Sequence, residues 1–198
     1  YRTMKICRAA TPIILAATLL GACETSPPTQ RLPEITFSHM PAFNVDVAKI
    51  EIENRFASKL SAPHIEHLMP LAPAAAVEQW AKDRVKAVGR GGTLRMIIED
   101  ASARETTLQK DTSFKGKLTK QQSHRYDMAV RATLELKDDS GKVLAAAGAN
   151  ASRSITARED VTLNEREKIW FETVDLLMKD FNREMEANTK NYLGRWLR

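Results

Sequence analysis

The chain has 198 residues, with 30 Lys+Arg against 25 Asp+Glu, 43% hydrophobic residues, 28% charged residues and two cysteines. That length suits one ordinary domain or two very small ones, and a chain of this size buries roughly 70% of its unfolded surface, so folding needs neither disulfide nor metal. The composition excludes a largely disordered chain, and no run reaches the ~20 consecutive apolar residues of a membrane span.

Met4 is the expected initiator. Lys5 and Arg8 follow it, and then Ala9 to Leu20, apolar apart from Thr11, Pro12 and Thr18. A basic head, a short apolar run and small residues form the layout of a secretory signal peptide. Twelve helical residues span about 18 Å, too short for a hydrocarbon core of about 30 Å.

The run ends in Leu20-Gly21-Ala22-Cys23. Here the chain resembles bacterial lipoprotein precursors, whose lipobox is an aliphatic residue, two small residues and a Cys. The resemblance implies that residues 1–22 are removed. Cys23 then becomes the first residue, with a diacylglyceryl thioether and an acylated amine. More than one acyl chain, at ~0.8 kcal/mol per buried CH₂, gives stable anchoring. Glu24 is not the Asp that retains such proteins at the inner membrane, so the resemblance implies the periplasmic face of the outer membrane. An ordinary signal peptide releasing a soluble periplasmic domain is the alternative.

On this reading Cys7 leaves with the leader and Cys23 carries lipid, so thiol catalysis is excluded. The leader also takes Arg2, Lys5 and Arg8, leaving 27 bases against 25 acids, a net charge of +2. That small excess argues against a nucleic-acid partner.

Residues 23–34 form the lipidated Cys and a Pro-containing tether, extended and solvated. A single domain over residues 35–198 is expected to follow. Ile35–Phe37 and then Phe43–Ile52 give the first strand signal, with a slip of phase near Ala48-Lys49 that suggests a bulge. The Pro-rich stretch 57–73 reads as irregular cover over the core. Pro73 opens a helix expected over Ala74–Val88, with Val77, Trp80, Ala81, Val85 and Val88 on one face. Gly89-Arg90-Gly91-Gly92 stops it. Thr93–Asp100 reads as a strand, residues 106–124 as a Lys-rich arm or loop, and Tyr126–Lys137 as the strongest strand. Asp138-Asp139-Ser140-Gly141 is a turn signal. Val143–Ser154 returns as a strand rich in Ala and Gly, which suits close approach of a helix. Thr162-Leu163-Asn164-Glu165 is a capping box opening a long helix to about Thr189. Its apolar stripe is Leu163, Trp170, Val174, Leu177, Met178, Phe181 and Met185. The order β-α-β-β-β-α predicts an α+β two-layer sandwich, a four-stranded mixed sheet with two helices on one face.

Few residues suggest chemistry. His64-Ile65-Glu66-His67 has i, i+3 spacing in a Pro-rich region, not the i, i+4 of a zinc helix. Gly89–Gly92 follows a helix instead of opening one, which argues against a phosphate loop. Asp138-Asp139 and Glu159-Asp160 read as turn and cap residues, and no Gly-x-Ser-x-Gly elbow occurs. No catalytic residue, metal or cofactor is expected; an envelope enzyme is the competing class. Two segments suit partner or lipid contact. One is the basic arm with Lys115, Lys117 and Lys120. The other is the tail with Tyr192 and Trp196, unless those aromatics fold back onto the first strand.

Lipobox, tether and one β-α-β-β-β-α domain together resemble small outer-membrane lipoproteins. LptE-like proteins, the auxiliary lipoproteins of ABC-type lipid transporters and related proteobacterial lipoproteins are of this kind. The resemblance implies a non-catalytic binding or assembly module in envelope lipid or lipopolysaccharide transport or outer-membrane maintenance. It would be joined to the membrane through Cys23 and would act on an envelope protein or lipid partner.

Overall fold

Backbone pairing begins with two short strands, β1 (Phe43–Val45) and β2 (Lys49–Asn54), in a computed structural model that describes residues 32–109 and 121–198. The helix α1 (Pro73–Arg84) follows, and then β3 (Val85–Ala87) and β4 (Thr93–Thr107). Next come β5 (Gln122–Lys137), β6 (Val143–Arg158) and the 31-residue helix α2 (Leu163–Leu193). The main sheet has the order β2-β4-β5-β6; β1 and β3 form a separate parallel pair. The expected sandwich is therefore present, with a small second sheet added. Cys23, Lys115, Lys117 and Lys120 lie outside the described residues. Among the described residues no helix is long and apolar enough to cross a membrane.

The single first strand of the sequence reading is two strands. Phe43–Val45 pairs in parallel with Val85–Ala87, and Lys49–Asn54 pairs in parallel with Thr93–Ile98. Between them the two chain segments kink together. The N–H of Val88 donates to Val45 O at 3.0 Å, that of Gly89 to Val47 O at 3.0 Å, and that of Ala48 to Gly91 O at 3.1 Å. Backbone groups therefore stay paired through the kink, as burial demands. The same pairing corrects the end of the first helix. Val85 is buried as a strand residue, and Val88 is 52% exposed rather than on the helical face. Tertiary pairing has overridden the helical period at a β-branched residue.

Strand β4 runs past the expected Asp100 to Thr107, and its register against β5 shifts between Ile98 and Asp100. Leu94, Met96 and Ile98 face the helices, and the extra residue Glu99 reverses the phase. Ala101 and Ala103 then enter the core while Asp100 and Ser102 stay out. Without that bulge the side-chain period of two would bury the polar set. Strands β5 and β6 join at Asp138, whose carboxylate accepts from the N–H groups of Ser140 (2.9 Å) and Lys142 (3.0 Å). Gly141 there has φ of +84°, which a residue without Cβ adopts freely.

Helix α2 begins at the anticipated box. Glu165 N–H donates to Thr162 Oγ1 at 3.3 Å, and Thr162 N–H donates to Glu165 Oε2 at 2.8 Å. Its stripe is buried from Trp170 to Met185, but Leu163, expected in the stripe, is 64% exposed, ahead of the sheet it was meant to cover. Ala147, Ala149 and Ala151 are buried in the core with this helix, as small side chains permit. Strand β6 is an edge strand, and α2 guards it. Asn188 Nδ2 donates to Gly148 O at 2.7 Å, Asn150 N–H to Glu184 Oε1 at 3.3 Å and Arg153 Nε to Asp180 Oδ2 at 2.7 Å. Such cover protects an edge from pairing with another chain.

The helices are locked side by side. Trp80 Nε1 donates to Asn182 Oδ1 at 2.8 Å, and Arg84 Nη2 donates to Glu186 Oε2 at 2.8 Å. These rungs are four residues apart on both helices, so α1 and α2 run in the same direction. Trp80 meets Phe181 edge-on at 5.5 Å, and the buried Arg84 guanidinium lies 4.7 Å from the centre of the Phe43 ring.

Candidate functional site

Asp83, near the end of α1, accepts three hydrogen bonds. They come from Phe37 N–H (2.8 Å), Thr36 Oγ1 (3.0 Å) and Gln79 Nε2 (2.9 Å). Phe37 is inserted into the core, 4% exposed, and the Met40 N–H closes a turn on Phe37 O at 3.0 Å. Together these clamp Thr36 and Phe37 to α1, and residues 32–35 run beside that helix with Ile35 packed against the core, so the expected solvated tether stops short of residue 34. The clamped segment, the Pro70-Leu71 loop and α1 then bound an open groove of about 510 Å³, with Phe171 of α2 contributing to its lining. That volume falls within the range of small-molecule sites. Its apolar lining includes Leu32, Ile35, Leu71 and Ala75; Glu34, Glu78 and Lys82 are the charged lining side chains. Sequence reading missed this groove, because its walls come from four separate segments and no motif spans them.

The His64–His67 stretch is a structural bracket. It lies beside β4, with Ile65 N–H donating to Ala103 O at 3.0 Å and Glu105 N–H to Pro63 O at 2.8 Å. Glu66 is 3% exposed and accepts from Ala103 N–H (3.0 Å) and Ser58 Oγ (3.0 Å), with His64 Nδ1 at 3.2 Å. Burial pushes its carboxyl up, but the backbone N–H of Ala103, its own amide, His64 and Ser58 together hold it below the usual range. Among the described residues no three metal-ligating side chains are grouped.

A second polar cluster lies where β4 and β5 pass under the start of α2. His124 stacks on Tyr126 at 6.4 Å, Trp170 meets that tyrosine edge-on at 5.6 Å, and His124 Nδ1 lies 2.8 Å from Glu105 Oε1. Burial pushes the Tyr126 phenol above its usual range. Tyr126 OH and Trp170 Nε1 are buried there, and Glu105 and Trp170 both act on the phenol. Sequence reading placed Tyr126 on a strand and did not find the cluster, whose members come from two strands and a helix.

The tail folds back on β1. Asp46 N–H donates to Trp196 O at 2.8 Å, Arg198 N–H donates to Asn44 O at 2.8 Å, and Arg198 pairs with Asp46. Trp196 and Leu197 pack partly buried against the core, and Arg195 lies 4.9 Å over the Trp196 ring. Of the two aromatic residues singled out from sequence, Tyr192 is the exposed one, at 61%.

No protein-family model matches the chain, and no curated protein matches it. The solved structures with distant likeness to the chain include the following two. One is a minor lipoprotein from Acinetobacter baumannii, at 14% identity over 73% of this chain and 94% of that one, with a TM-score of 0.34. The other is a PelC dodecamer from Paraburkholderia phytofirmans, at 15% identity over 71% of this chain and 88% of that one, with a TM-score of 0.22. At these scores neither bears on what this chain does.

Proposed function

We infer that the protein is a lipid-anchored accessory module of the bacterial envelope. It is held by acylated Cys23 at the periplasmic face of the outer membrane, and it binds an envelope lipid or protein without chemistry of its own. The observation that carries this reading is Leu20-Gly21-Ala22-Cys23 in register with a basic head and a short apolar run. The folded domain is compatible with it. Its buried carboxylate, Glu66, is spent on holding a loop. The sheet face away from the helices carries paired charges, Glu53–Arg95–Glu135 and Glu99–Arg131 among them. Tethering raises the local concentration of the domain near membrane partners.

The test is the intact mass of the native protein and its partition between membrane and soluble periplasm. The expected product begins at Cys23, carries acyl groups and sediments with membranes; Cys23→Ala abolishes the acylation and either releases the protein from membranes or leaves the leader attached. A wild-type product that is unacylated and freely soluble refutes the reading.

A further inference from the structure

We propose that the groove between residues 32–36 and α1 holds one acyl chain of a zwitterionic, amine-bearing phospholipid. The proposal deepens the envelope reading above and rests on it for the source of the lipid. Three observations carry it. The first is shape: an open trough of about 510 Å³, not an enclosed cell, with Leu32, Ile35, Leu71 and Phe171 in its lining. A trough admits a chain from the side while its head group stays in water. The second is charge. Glu34, Glu78 and Lys82 all line the trough, and none forms an ion pair among the described residues. Two carboxylates and one ammonium match a head group that carries an ammonium and a phosphate. The same carboxylates oppose a lipid whose head group is only anionic. The third is place. The trough wall begins in the last three residues of the expected tether, and Leu32 lies nine residues after Cys23, a reach of at most about 30 Å. An anchored protein thus keeps the trough within reach of lipid.

The gain comes from apolar burial, at about 0.8 kcal/mol per CH₂ removed from water. Ala75 gives the discriminating substitution. It lines the trough, is itself exposed, and sits in the first turn of α1. An acid there is favoured by the helix dipole, so Ala75→Asp blocks the trough without weakening the helix.

The experiment uses the full acylated protein on vesicles of phosphatidylethanolamine and phosphatidylglycerol, each in turn carrying a photoactivatable acyl chain. Adducts are located by peptide mass. The expected adduct falls on peptides containing residues 32–36 or 75–82 and favours phosphatidylethanolamine. It drops about tenfold in Ala75→Asp, the effect of setting a charge against an apolar chain, while vesicle sedimentation is unchanged. Glu34→Gln with Glu78→Gln is expected to erase the head-group preference. An adduct elsewhere, one indifferent to Ala75→Asp, or equal labelling by both lipids in the wild type overturns the proposal. Cys23→Ala protein with a soluble short-chain phosphatidylethanolamine separates the two readings. Trough labelling there, in a wild type found unacylated, sinks only the anchor; its absence, with the wild type acylated, sinks only the trough.

Discussion

Replacing Asp83 by Ala tests whether one carboxylate holds the groove wall in place. In the wild type its oxygens bind Phe37 N–H at 2.8 Å and Thr36 Oγ1 at 3.0 Å, both from the leading segment. Each such bond to a charged acceptor contributes about 1.5–3 kcal/mol when shielded. The Thr36 bond is exposed, so it belongs at the bottom of that range or below it. The buried Phe37 ring contributes a further ~1.5–3 kcal/mol and is not removed by the substitution. The segment therefore stays docked on average but opens more often. A loss of about 2 kcal/mol multiplies the open population roughly thirtyfold. The Met40 amide reports it, because its bond to Phe37 O closes the turn behind the clamp and does not itself involve Asp83. Hydrogen exchange at Met40 should accelerate by that factor, while amides in the centre of β5 keep their wild-type rates. Asp83→Asn retains an acceptor oxygen without the charge and should give a smaller effect. A Met40 amide exchanging at the wild-type rate in Asp83→Ala would refute the clamp.

Thr162→Ala removes the bond from Glu165 N–H to Thr162 Oγ1, leaving the backbone N–H of residue 162 on Glu165, and should cost about 1 kcal/mol, read as a lower urea midpoint at unchanged slope. Glu66 makes stability depend on pH. Its carboxyl is held below the usual 4.5 in the folded protein, so its contribution is complete above that value and is lost as pH falls through the folded one. Glu66→Gln should therefore lower the urea midpoint at pH 7 and flatten its fall below about pH 4.5; parallel curves for both proteins would refute this. Gly89→Ala should be costly. A Cβ there would press on the Asp46 carboxylate and sit 2.6 Å from the Asp46 carbonyl carbon and 2.7 Å from Val47 N. Backbone cannot give way cheaply, so about 1–3 kcal/mol is expected in thermal unfolding. Gly148→Ala, with Thr133 Oγ1 as its nearest neighbour at 3.5 Å, should be nearly neutral.

The parts of the fold that were legible are those written in a local period. Alternation through Tyr126–Lys137 and the capping box with its apolar stripe lie within single elements, and the structure follows them, the stripe from Trp170 onward. The Ala-rich strand could be read because small residues leave one use, close approach, and α2 takes it. What the sequence hid is pairing between distant segments. Val85 satisfies a helical face and a parallel strand equally well, and only its partner Phe43 decides. Gly89–Gly92 reads as a helix stop, yet its glycines serve the kink shared with Asp46–Ala48. Asp83 looks like one more solvated acid on a helix, and nothing local announces that it grips a backbone N–H 46 residues earlier.

That grip would also set how far the domain can stand from the proposed anchor at Cys23. With the segment docked on α1 as far as Leu32, the connector of nine residues from Cys23 to Leu32 has a contour of at most about 30 Å. If the clamp opens and Phe37 leaves the core, the connector lengthens to Phe43, and the limit rises to about 70 Å. A groove that needs the clamp for its wall then exists only in the short-tether state. Occupancy of the groove should favour the clamped state through the contacts that residues 32–36 make with the ligand, since a ligand shifts an equilibrium by its differential affinity for the two states. On the proposed anchor and ligand, reach and binding would thereby be coupled through one carboxylate. Asp83→Ala should lengthen the reach and weaken the groove together, whereas Ala75→Asp should weaken the groove and leave the reach unchanged.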